Sequence, residues 1–269
     1  MKVVKPFSKS LLACSFHVVK ESLWPLVISM SVCGIMTNLL AWTATKHMSL
    51  LMSFPVTLLI CSVFGWLRDV SRENLMGNHP SSIQKGVKFG MLLMISSEIM
   101  FFISFFWVIM AICTTPSLNI WTCPPKGVEP ASLTNLVLFS TFVLITSSVT
   151  VTWSHKALLL NDKKESLISM TITLLLGWMF VGLQLKEYSE MSFTISDGVY
   201  GSVFYMLTGF HGTHVLIGTI MLFVSVVRMH KNVTTYHHHV SFEITAWYWH
   251  FVDVVWLFVI TIVYFWPSL

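Results

Sequence analysis

The sequence predicts an all-α membrane protein with seven transmembrane helices. Of its 269 residues, 55% are hydrophobic and only 10% are charged, whereas soluble domains average about 25% charged residues. The mean hydropathy is +0.74. Seven apolar segments alternate with shorter polar ones, and each is long enough to cross a hydrocarbon core of about 30 Å as a helix. Water is therefore excluded as the main solvent of this chain.

The first third of the chain contains a polar tail and two apolar segments. The tail, residues 1–22, has four lysines and no arginine, so we do not expect a transit peptide or a secretory signal. Helices 1 and 2 are predicted within residues 23–66, the first at 23–42 and the second at 48–66. Pro25 stands at the entry of the first, where its missing N–H does no harm, and Pro55 predicts a kink in the second.

A polar connection, residues 67–86, separates this pair from helices 3–7, which we assign to residues 87–269. The third span is predicted at 87–112. Four prolines then mark residues 113–135 as a loop. The fourth span, 136–154, holds seven hydroxyl side chains between Ser140 and Thr152, which in lipid are typical of hydrogen bonds between helices.

The last three spans are predicted at 167–185, 198–227 and 246–266. The charged run N-D-K-K-E precedes the fifth. Ser196 or Asp197 is placed to cap the sixth, and several glycines within the sixth, including Gly218, allow neighbouring backbones to approach closely.

The distribution of basic residues predicts the orientation of the chain. Thirteen of the 16 lysines and arginines fall on the side of the N-terminus and three on the opposite side. Positive charge is retained on the cytoplasm-like or matrix side of a membrane. We therefore expect the N-terminus on that side and the C-terminus on the other. The basic residues are scattered through loops rather than gathered in a stripe, which argues against nucleic-acid binding.

Glu98 is the most informative polar residue, because a carboxylate near the middle of a membrane span is a functional candidate by default. It could handle protons. It could instead be a structural acid that is hydrogen-bonded to Ser96, to Ser97 or to a neighbouring helix. The residue pattern leaves both alternatives open.

Four further polar residues fall on the last two spans: His211, His214, His250 and Asp253. His250 and Asp253 are three residues apart, and so are His211 and His214, which places each pair on one helical face. Imidazoles in such positions could ligate haem or a metal. Neighbours on one helix are better placed to hydrogen-bond carboxylates such as Asp253 or Glu98, so we predict structural histidines and no metal site.

Two polar clusters fall near the predicted helix ends. The run His237–His239 could bind a metal, but a solvated loop with Glu243 as a charge partner is the stronger interpretation. Arg68 and Arg72 follow the second span, and Arg228 and Lys231 follow the sixth on the same predicted side. Such residues can bind anionic lipid headgroups or simply anchor the helix ends.

The five cysteines form no C-x-x-C pair. We expect small buried side chains rather than a disulfide framework or a thiolate metal site.

From about Trp66 onward, the sequence resembles subunit III of cytochrome c oxidase. The resemblance rests on motifs that occur in the same order and spacing: L-R-D-V-S-R-E (67–73), Q-K-G (84–86), S-E-I-M-F-F (97–102), P-P-K-G-V (124–128), F-T-I-S-D-G-V-Y-G-S (193–202), T-G-F-H-G-T-H-V-L-I-G (208–218) and A-W-Y-W-H-F-V-D-V-V-W-L-F (246–258). The first 60 or so residues match the family only in hydropathy. Ala111 and Leu67 depart from the family's usual histidine and tryptophan.

This resemblance implies a non-catalytic core subunit of the terminal respiratory complex, in the mitochondrial inner membrane. The complex passes electrons from cytochrome c to O₂ and pumps protons. The family's first two helices are splayed from a five-helix bundle, leaving a lipid-filled V-shaped cleft. The chain itself would hold no redox centre, while haem a, haem a3 and copper belong to partner subunits. It would contact subunit I directly and would lie with subunit II and accessory subunits in the complex.

The resemblance also assigns roles to individual residues. Glu98 would face the catalytic subunit and support proton uptake. The phospholipid contacts carry over to seven positions: Trp66, Arg68, Arg72, Glu73, His79, Arg228 and Lys231.

Two other classes of protein remain as alternatives. A self-contained haem or quinone oxidoreductase would use His211, His214 and His250. A secondary transporter would show inverted repeats and broken helices in matching positions, which the sequence does not contain.

Overall fold

A computed structural model describes residues 21–45, 52–77, 79–114, 134–235 and 239–266. These ranges contain seven α-helices and no strand. The helices are α1 Trp24–Thr45, α2 Ser53–Leu75, α3 Ser81–Thr114, α4 Asn135–Leu159, α5 Lys163–Glu190, α6 Gly198–His230 and α7 Val240–Val259, the last continued by a π-helical segment, Ile260–Phe265. All seven are long and apolar enough to cross a membrane. The predicted class is confirmed, whereas the splayed arrangement and the cleft stay predictions.

Helix ends extend beyond the predicted apolar segments. Residues 67–75 continue α2, and residues 81–86 form the first turns of α3, so most of the predicted polar connection is helical. Hydropathy misses these turns because they carry the polar residues of the membrane surface, while backbone hydrogen bonding continues through them. Since α2 begins at Ser53, Pro55 lies in its first turn, where a missing N–H breaks no helical bond. A proline at this position gives no reason for a kink in α2, so the kink predicted at Pro55 has no structural basis.

Two helix starts show how local sequence sets their boundaries. Asp162 accepts hydrogen bonds from the backbone N–H groups of Lys164 and Glu165, both at 3.1 Å, and thereby caps α5. Asp197 occupies the N-cap position of α6 but makes no capping bond. Its carboxylate accepts hydrogen bonds from the N–H and hydroxyl groups of Thr194 in the preceding turn. The predicted position is right and the predicted interaction is not.

The chain divides into two compact units, residues 1–87 and 88–269. In the first unit, the ring of Trp24 lies against Gly65, where an added Cβ would come within 2.5 Å of it. The Trp24 indole N–H donates to Asp69 at 2.9 Å. Only 6% of the most apolar window of α1 is buried. The pair α1 and α2 thus leaves most of its apolar surface for lipid or for another chain.

The second unit has an aromatic core at the meeting of α4, α5, α6 and α7. The largest fully buried side chains include Trp249, Trp256, Phe180 and Phe204. Trp249 is 1% exposed, and its indole N–H donates to the hydroxyl of Ser147 on α4 at 2.9 Å. The window of α7 is 56% buried, so α7 is the central helix of this unit.

The hydroxyl side chains of α4 confirm the predicted contacts between helices only in part. Thr150 bonds Thr173 on α5 at 2.8 Å, and Ser147 accepts from Trp249 on α7. Others donate to carbonyls of their own helix, as Ser140 does to Val137. A hydroxyl satisfied within its helix needs no partner, so residue type alone could not distinguish the two kinds.

The cysteines differ from the sequence expectation. Cys33 and Cys61 are free and exposed on the surface of this chain, and Cys113, in the last turns of α3, is disulfide-bonded. A thiol on a lipid-facing helix surface lies in an apolar environment without being covered by its own chain. Apolar neighbours in the sequence therefore do not show that a cysteine is buried inside the protein, and the predicted burial was wrong for these two. Cys14 and Cys123 lie outside the described residues.

Candidate functional sites

Glu98 and His214 form a hydrogen-bonded pair between α3 and α6, with 3.0 Å between Oε2 and Nε2. Glu98 is the eighteenth of the 34 residues of α3, and His214 is the middle residue of the 33 in α6. Helices of this length exceed a hydrocarbon core of about 30 Å at both ends. The pair therefore lies near mid-membrane. The predicted carboxylate–histidine contact is confirmed for these two residues.

The hydrogen bonds of His214 fix where a proton can lie. Its Nδ1 is 2.7 Å from the carbonyl oxygen of Phe210; because a carbonyl only accepts, Nδ1 carries hydrogen. The contact between Nε2 and Glu98 then holds one proton, which belongs either to a neutral carboxylic acid or to an imidazolium. Both forms have zero net charge, which reduces the cost of placing the pair inside a membrane. The pair can pass a proton between its two atoms without becoming charged overall.

Glu98 is not sealed inside its own chain. Its side chain is 29% exposed, against 11% for His214. The hydroxyls of Ser96 and Ser97 donate to carbonyls of α3 at 2.8 and 2.7 Å, so the serine partners considered for Glu98 are not the ones it uses. A carboxyl group that faces outward at this depth requires another polypeptide, or water held by one, to cover it.

His211 is completely buried, and its Nε2 lies 3.2 Å from the carbonyl oxygen of Val252 on α7. Its ring stacks on Trp256 with centroids 4.8 Å apart. The prediction of a carboxylate partner is wrong for His211, because its Nε2 pairs with a backbone carbonyl of α7 instead. The prediction of a structural histidine agrees with this packing.

His250 of α7 interacts with Ser148 on α4, and Asp253 lies one turn further along α7. The hydroxyl of Ser148 lies 3.1 Å from Nδ1 of His250, while Oδ1 of Asp253 is buried without a hydrogen-bond partner among the described residues. Asp253 is 8% exposed. The imidazole of His250 thus finds its partner on α4, as burial of a polar group in an apolar bundle requires.

The lipid-binding residues predicted in the first unit lie at the C-terminal end of α2 and in the turn that follows. Trp66, Arg68 and Arg72 are exposed, and Glu73 and His79 are partly buried. Asp69 lies 3.1 Å from Nε of Arg68 and 3.9 Å from the guanidinium of Arg72. Both ion pairs are open to solvent, so they leave the cationic surface available to other anions.

In the second unit, Arg228 lies in the last turn of α6, and Lys231 is the residue that directly follows this helix. Arg228 is partly buried and Lys231 is exposed. Basic residues in the last turn of a helix complement its negative end, and they are also suited to a phosphate group. Both residues therefore lie at the C-terminal end of α6, where the sequence analysis expected them.

Glu187 is the centre of a buried hydrogen-bonded cluster that the sequence pattern does not indicate. Glu187 is 4% exposed and accepts hydrogen bonds from Tyr264 at 2.6 Å and from Gln184 at 3.1 Å. In the sequence it belongs to the polar run K-E-Y-S-E, which resembles a solvated turn. Only the extension of α5 to Glu190 and the packing of Tyr264 against it bury the carboxyl group.

Comparison with known proteins identifies the family. The family model for cytochrome c oxidase subunit III matches residues 14–268. Proteins named cytochrome c oxidase subunit 3 from Lycodon semicarinatus and Ornithorhynchus anatinus are 42% and 43% identical, each over 94% of this chain and over 97% and 98% of their own lengths. The protein of that name from Squalus acanthias is 43% identical over 95% of this chain and 98% of its own. The chain therefore belongs to the cytochrome c oxidase subunit III family and is a multi-pass membrane subunit of that oxidoreductase complex.

Proposed function

We propose that this chain is a non-catalytic core subunit that supports the catalytic subunit of cytochrome c oxidase in the mitochondrial inner membrane. In this role it covers part of subunit I, within a complex that also holds subunit II and accessory subunits, and it binds phospholipid. Electrons pass through haem a, haem a3 and copper in the partner subunits. The observation that carries the proposal is the hydrogen-bonded Glu98–His214 pair, which lies near the middle of two long membrane helices and is partly open to the outside of the chain.

The surface around Glu98 supports a companion chain on this face of α3. Large apolar side chains one turn away on the same side of α3 as the carboxyl group are exposed, Met94 at 45% and Phe101 at 38%. Exposed serines, Ser96 and Ser97, lie on the same stretch of helix. Small polar residues among large apolar ones are typical of helix contacts inside membranes. A polypeptide that covers this face would complete the environment of Glu98 and could exchange a proton with it.

The same contacts favour a subunit without a haem of its own. Each of the three imidazoles that a haem or quinone enzyme would use already has a hydrogen-bond partner: Val252 for His211, Glu98 for His214 and Ser148 for His250. A visible spectrum of the separated full chain checks this. A Soret band from the chain alone would favour the self-contained oxidoreductase instead.

The orientation that we propose places the N-terminus in the matrix and the C-terminus in the intermembrane space. It rests on the 13 to three distribution of basic residues. Cysteine labelling of the intact inner membrane from either side tests it, and labelling of both termini from the same side would contradict it.

The proton-supporting role is tested by comparing Glu98→Ala with Glu98→Gln in the assembled complex. The amide of glutamine can still donate a hydrogen bond to Nε2 of His214, but it cannot exchange a proton. If Glu98 handles protons, both variants lower proton uptake or shorten the catalytic lifetime, with all haem bands retained. If Glu98 only holds α3 to α6, the glutamine variant behaves as the wild type and the proton role is wrong.

A matched control is Glu190→Gln, because Glu190 is exposed at the end of α5 and only forms a surface ion pair with Lys186 at 3.8 Å. We expect this variant to keep normal proton uptake and durability. Loss of function in Glu190→Gln equal to that in Glu98→Gln would mean that the assay reports general damage, and it would remove the support for a specific site.

We further propose that the seven residues named above, five between Trp66 and His79 together with Arg228 and Lys231, bind phospholipid headgroups. Arg72→Gln is expected to lower the amount of anionic lipid retained after mild detergent extraction, measured by mass spectrometry. Asp69→Asn removes the anion next to Arg68 and Arg72 and should retain at least as much lipid. Lys186→Gln, an exposed basic residue at the end of α5, is the control. Equal lipid content in all three variants would contradict the proposal.

A further inference from the structure

Three potential metal ligands come together where α4 ends and α7 begins. His155 lies in the last turns of α4, His239 immediately precedes α7, and Glu243 lies in its first turn. One ligand atom from each lies within 4.8 Å of the other two. All three are partly buried. The proton-supporting pair proposed above involves other residues, so this cluster stands independently of it.

The cluster contains imidazole nitrogens that the described part of the chain does not satisfy. Nε2 of His155 is buried without a hydrogen-bond partner among the described residues; on His239 the unpaired nitrogen is Nδ1, while Nε2 faces Glu243. The ring of His155 stacks on Phe242 with centroids 5.5 Å apart and lies 5.8 Å from the ring of His239. The packing thus holds His155 beside His239 while leaving Nε2 unpaired. Buried polar atoms of this kind require an explanation.

The separation of the ligand atoms fits a small tetrahedral ion. Nε2 of His239 and Oε1 of Glu243 are 3.3 Å apart, which is long for a hydrogen bond. Two ligands at about 2.0–2.1 Å from a tetrahedral zinc ion are separated by about 3.3–3.4 Å. The largest separation in the cluster exceeds this value by about 1.5 Å, a difference that rotation of the side chains can remove.

A lysine and a further histidine lie close to the cluster. Lys88 on α3 forms an ion pair with Oε2 of Glu243, and His250 is the other ionisable group close to His155. Lys88 occupies the oxygen of Glu243 that does not face His239. Metal-bound carboxylates commonly have their second oxygen hydrogen-bonded in this way. The ammonium group nevertheless lowers the affinity of the cluster for a cation.

We propose that His155, His239 and Glu243 form a site for a divalent transition-metal ion of the zinc type, with a fourth position open to water. Two imidazoles and one carboxylate are a ligand set that zinc uses in proteins. Such an ion links the C-terminal end of α4 to the start of α7. Bound metal therefore stabilises this end of the bundle against unfolding.

The test uses the purified complex that contains this chain, dialysed against a series of zinc buffers. Metals of the partner subunits are common to all preparations and cancel when variants are compared. His155→Gln and His239→Gln are each expected to lose one zinc ion per complex, with an affinity at least about tenfold lower, since even outer-shell changes cost that much. His230→Gln is the matched control, because His230 is an exposed histidine at the end of α6, and it should keep the wild-type zinc content.

Lys88→Met tests the proposal without removing a ligand. Loss of the competing ammonium group is expected to raise the zinc affinity, and to increase the rise in unfolding temperature that zinc produces. Unchanged or weaker binding in Lys88→Met overturns the proposal, even if the histidine variants assemble poorly. Equal zinc loss in His230→Gln and His155→Gln also overturns it, because the ion would then be adsorbed by surface histidines in general.

Discussion

Gly218→Ala is expected to destabilise the second unit, because Gly218 lies against the buried ring of Trp249. A Cβ at this position would stand 2.8 Å from Cε3 and 3.0 Å from Cζ3 of that ring, whereas carbon atoms in contact are about 3.5–4.0 Å apart. The ring cannot move aside easily. Gly177 of α5 contacts its other edge, since a Cβ there would lie 2.9 Å from Cη2, and the indole N–H is bonded to Ser147.

The size of the effect follows from two opposing contributions. Overpacking of a tight core costs about 1–3 kcal/mol, and replacing glycine by alanine inside a helix recovers about 0.5–1 kcal/mol. We therefore expect Gly218→Ala to lower the free energy of unfolding by about 1 kcal/mol, within a range of about 0–2.5 kcal/mol. Gly212→Ala is the matched control on the same helix. No atom of the described chain lies within 4 Å of the Cβ it would add, so it should be neutral or stabilising by up to about 1 kcal/mol.

Reversible unfolding of the full chain in mixed micelles, followed by tryptophan fluorescence, measures this difference. The double variant with Trp249→Leu provides a further check, because a smaller side chain should relieve the overlap and reduce the cost of Gly218→Ala. Equal tolerance of Gly218→Ala and Gly212→Ala would show that the ring of Trp249 moves aside, and would contradict the expected overlap. An unchanged cost of Gly218→Ala when the ring is absent would contradict it as well.

Two further predictions concern buried hydrogen bonds. Ser147→Ala should destabilise the chain by about 1–3 kcal/mol in the same unfolding assay, because it leaves the indole N–H of Trp249 without an acceptor; an unchanged midpoint would show that this N–H has another partner. Tyr264→Phe removes a 2.6 Å hydrogen bond to Glu187 and should cost about 1.5–3 kcal/mol if that acid is ionised. The double variant with Glu187→Gln should cost less than the sum of the two single changes, and strict additivity would argue against a direct interaction.

Tertiary contacts decided which polar groups pair with one another. The sequence places Glu98, His211, His214, His250 and Asp253 at membrane depth, and a charge-bearing group there requires a partner. It does not reveal that His214 bonds Glu98 while His211, three residues away, bonds the backbone of Val252. Residues three apart on a helix differ in direction by about 60°, enough to face α3 in one case and α7 in the other.

Burial of polar residues near helix ends could not be predicted for a related reason. Glu187 and His155 occur in runs whose composition is typical of solvated turns, and their neighbours in sequence give no indication of burial. Glu187 becomes buried because Tyr264 of the π-helical segment after α7 packs over it, and His155 becomes partly buried because Phe242 of α7 stacks against it. Contacts between residues about 80 positions apart do not appear in local patterns.

The sequence by itself determined that this chain is a membrane protein of seven helices, because the cost of exposing apolar residues to water and of leaving backbone groups unpaired in lipid admits few other structures. It also determined the family, through motifs of fixed order and spacing. The tertiary structure decided helix length, the partner of each buried polar group and the proximity of His155, His239 and Glu243. These features depend on which side chains of different helices meet, and hydropathy, which averages over a single segment, carries no information about that.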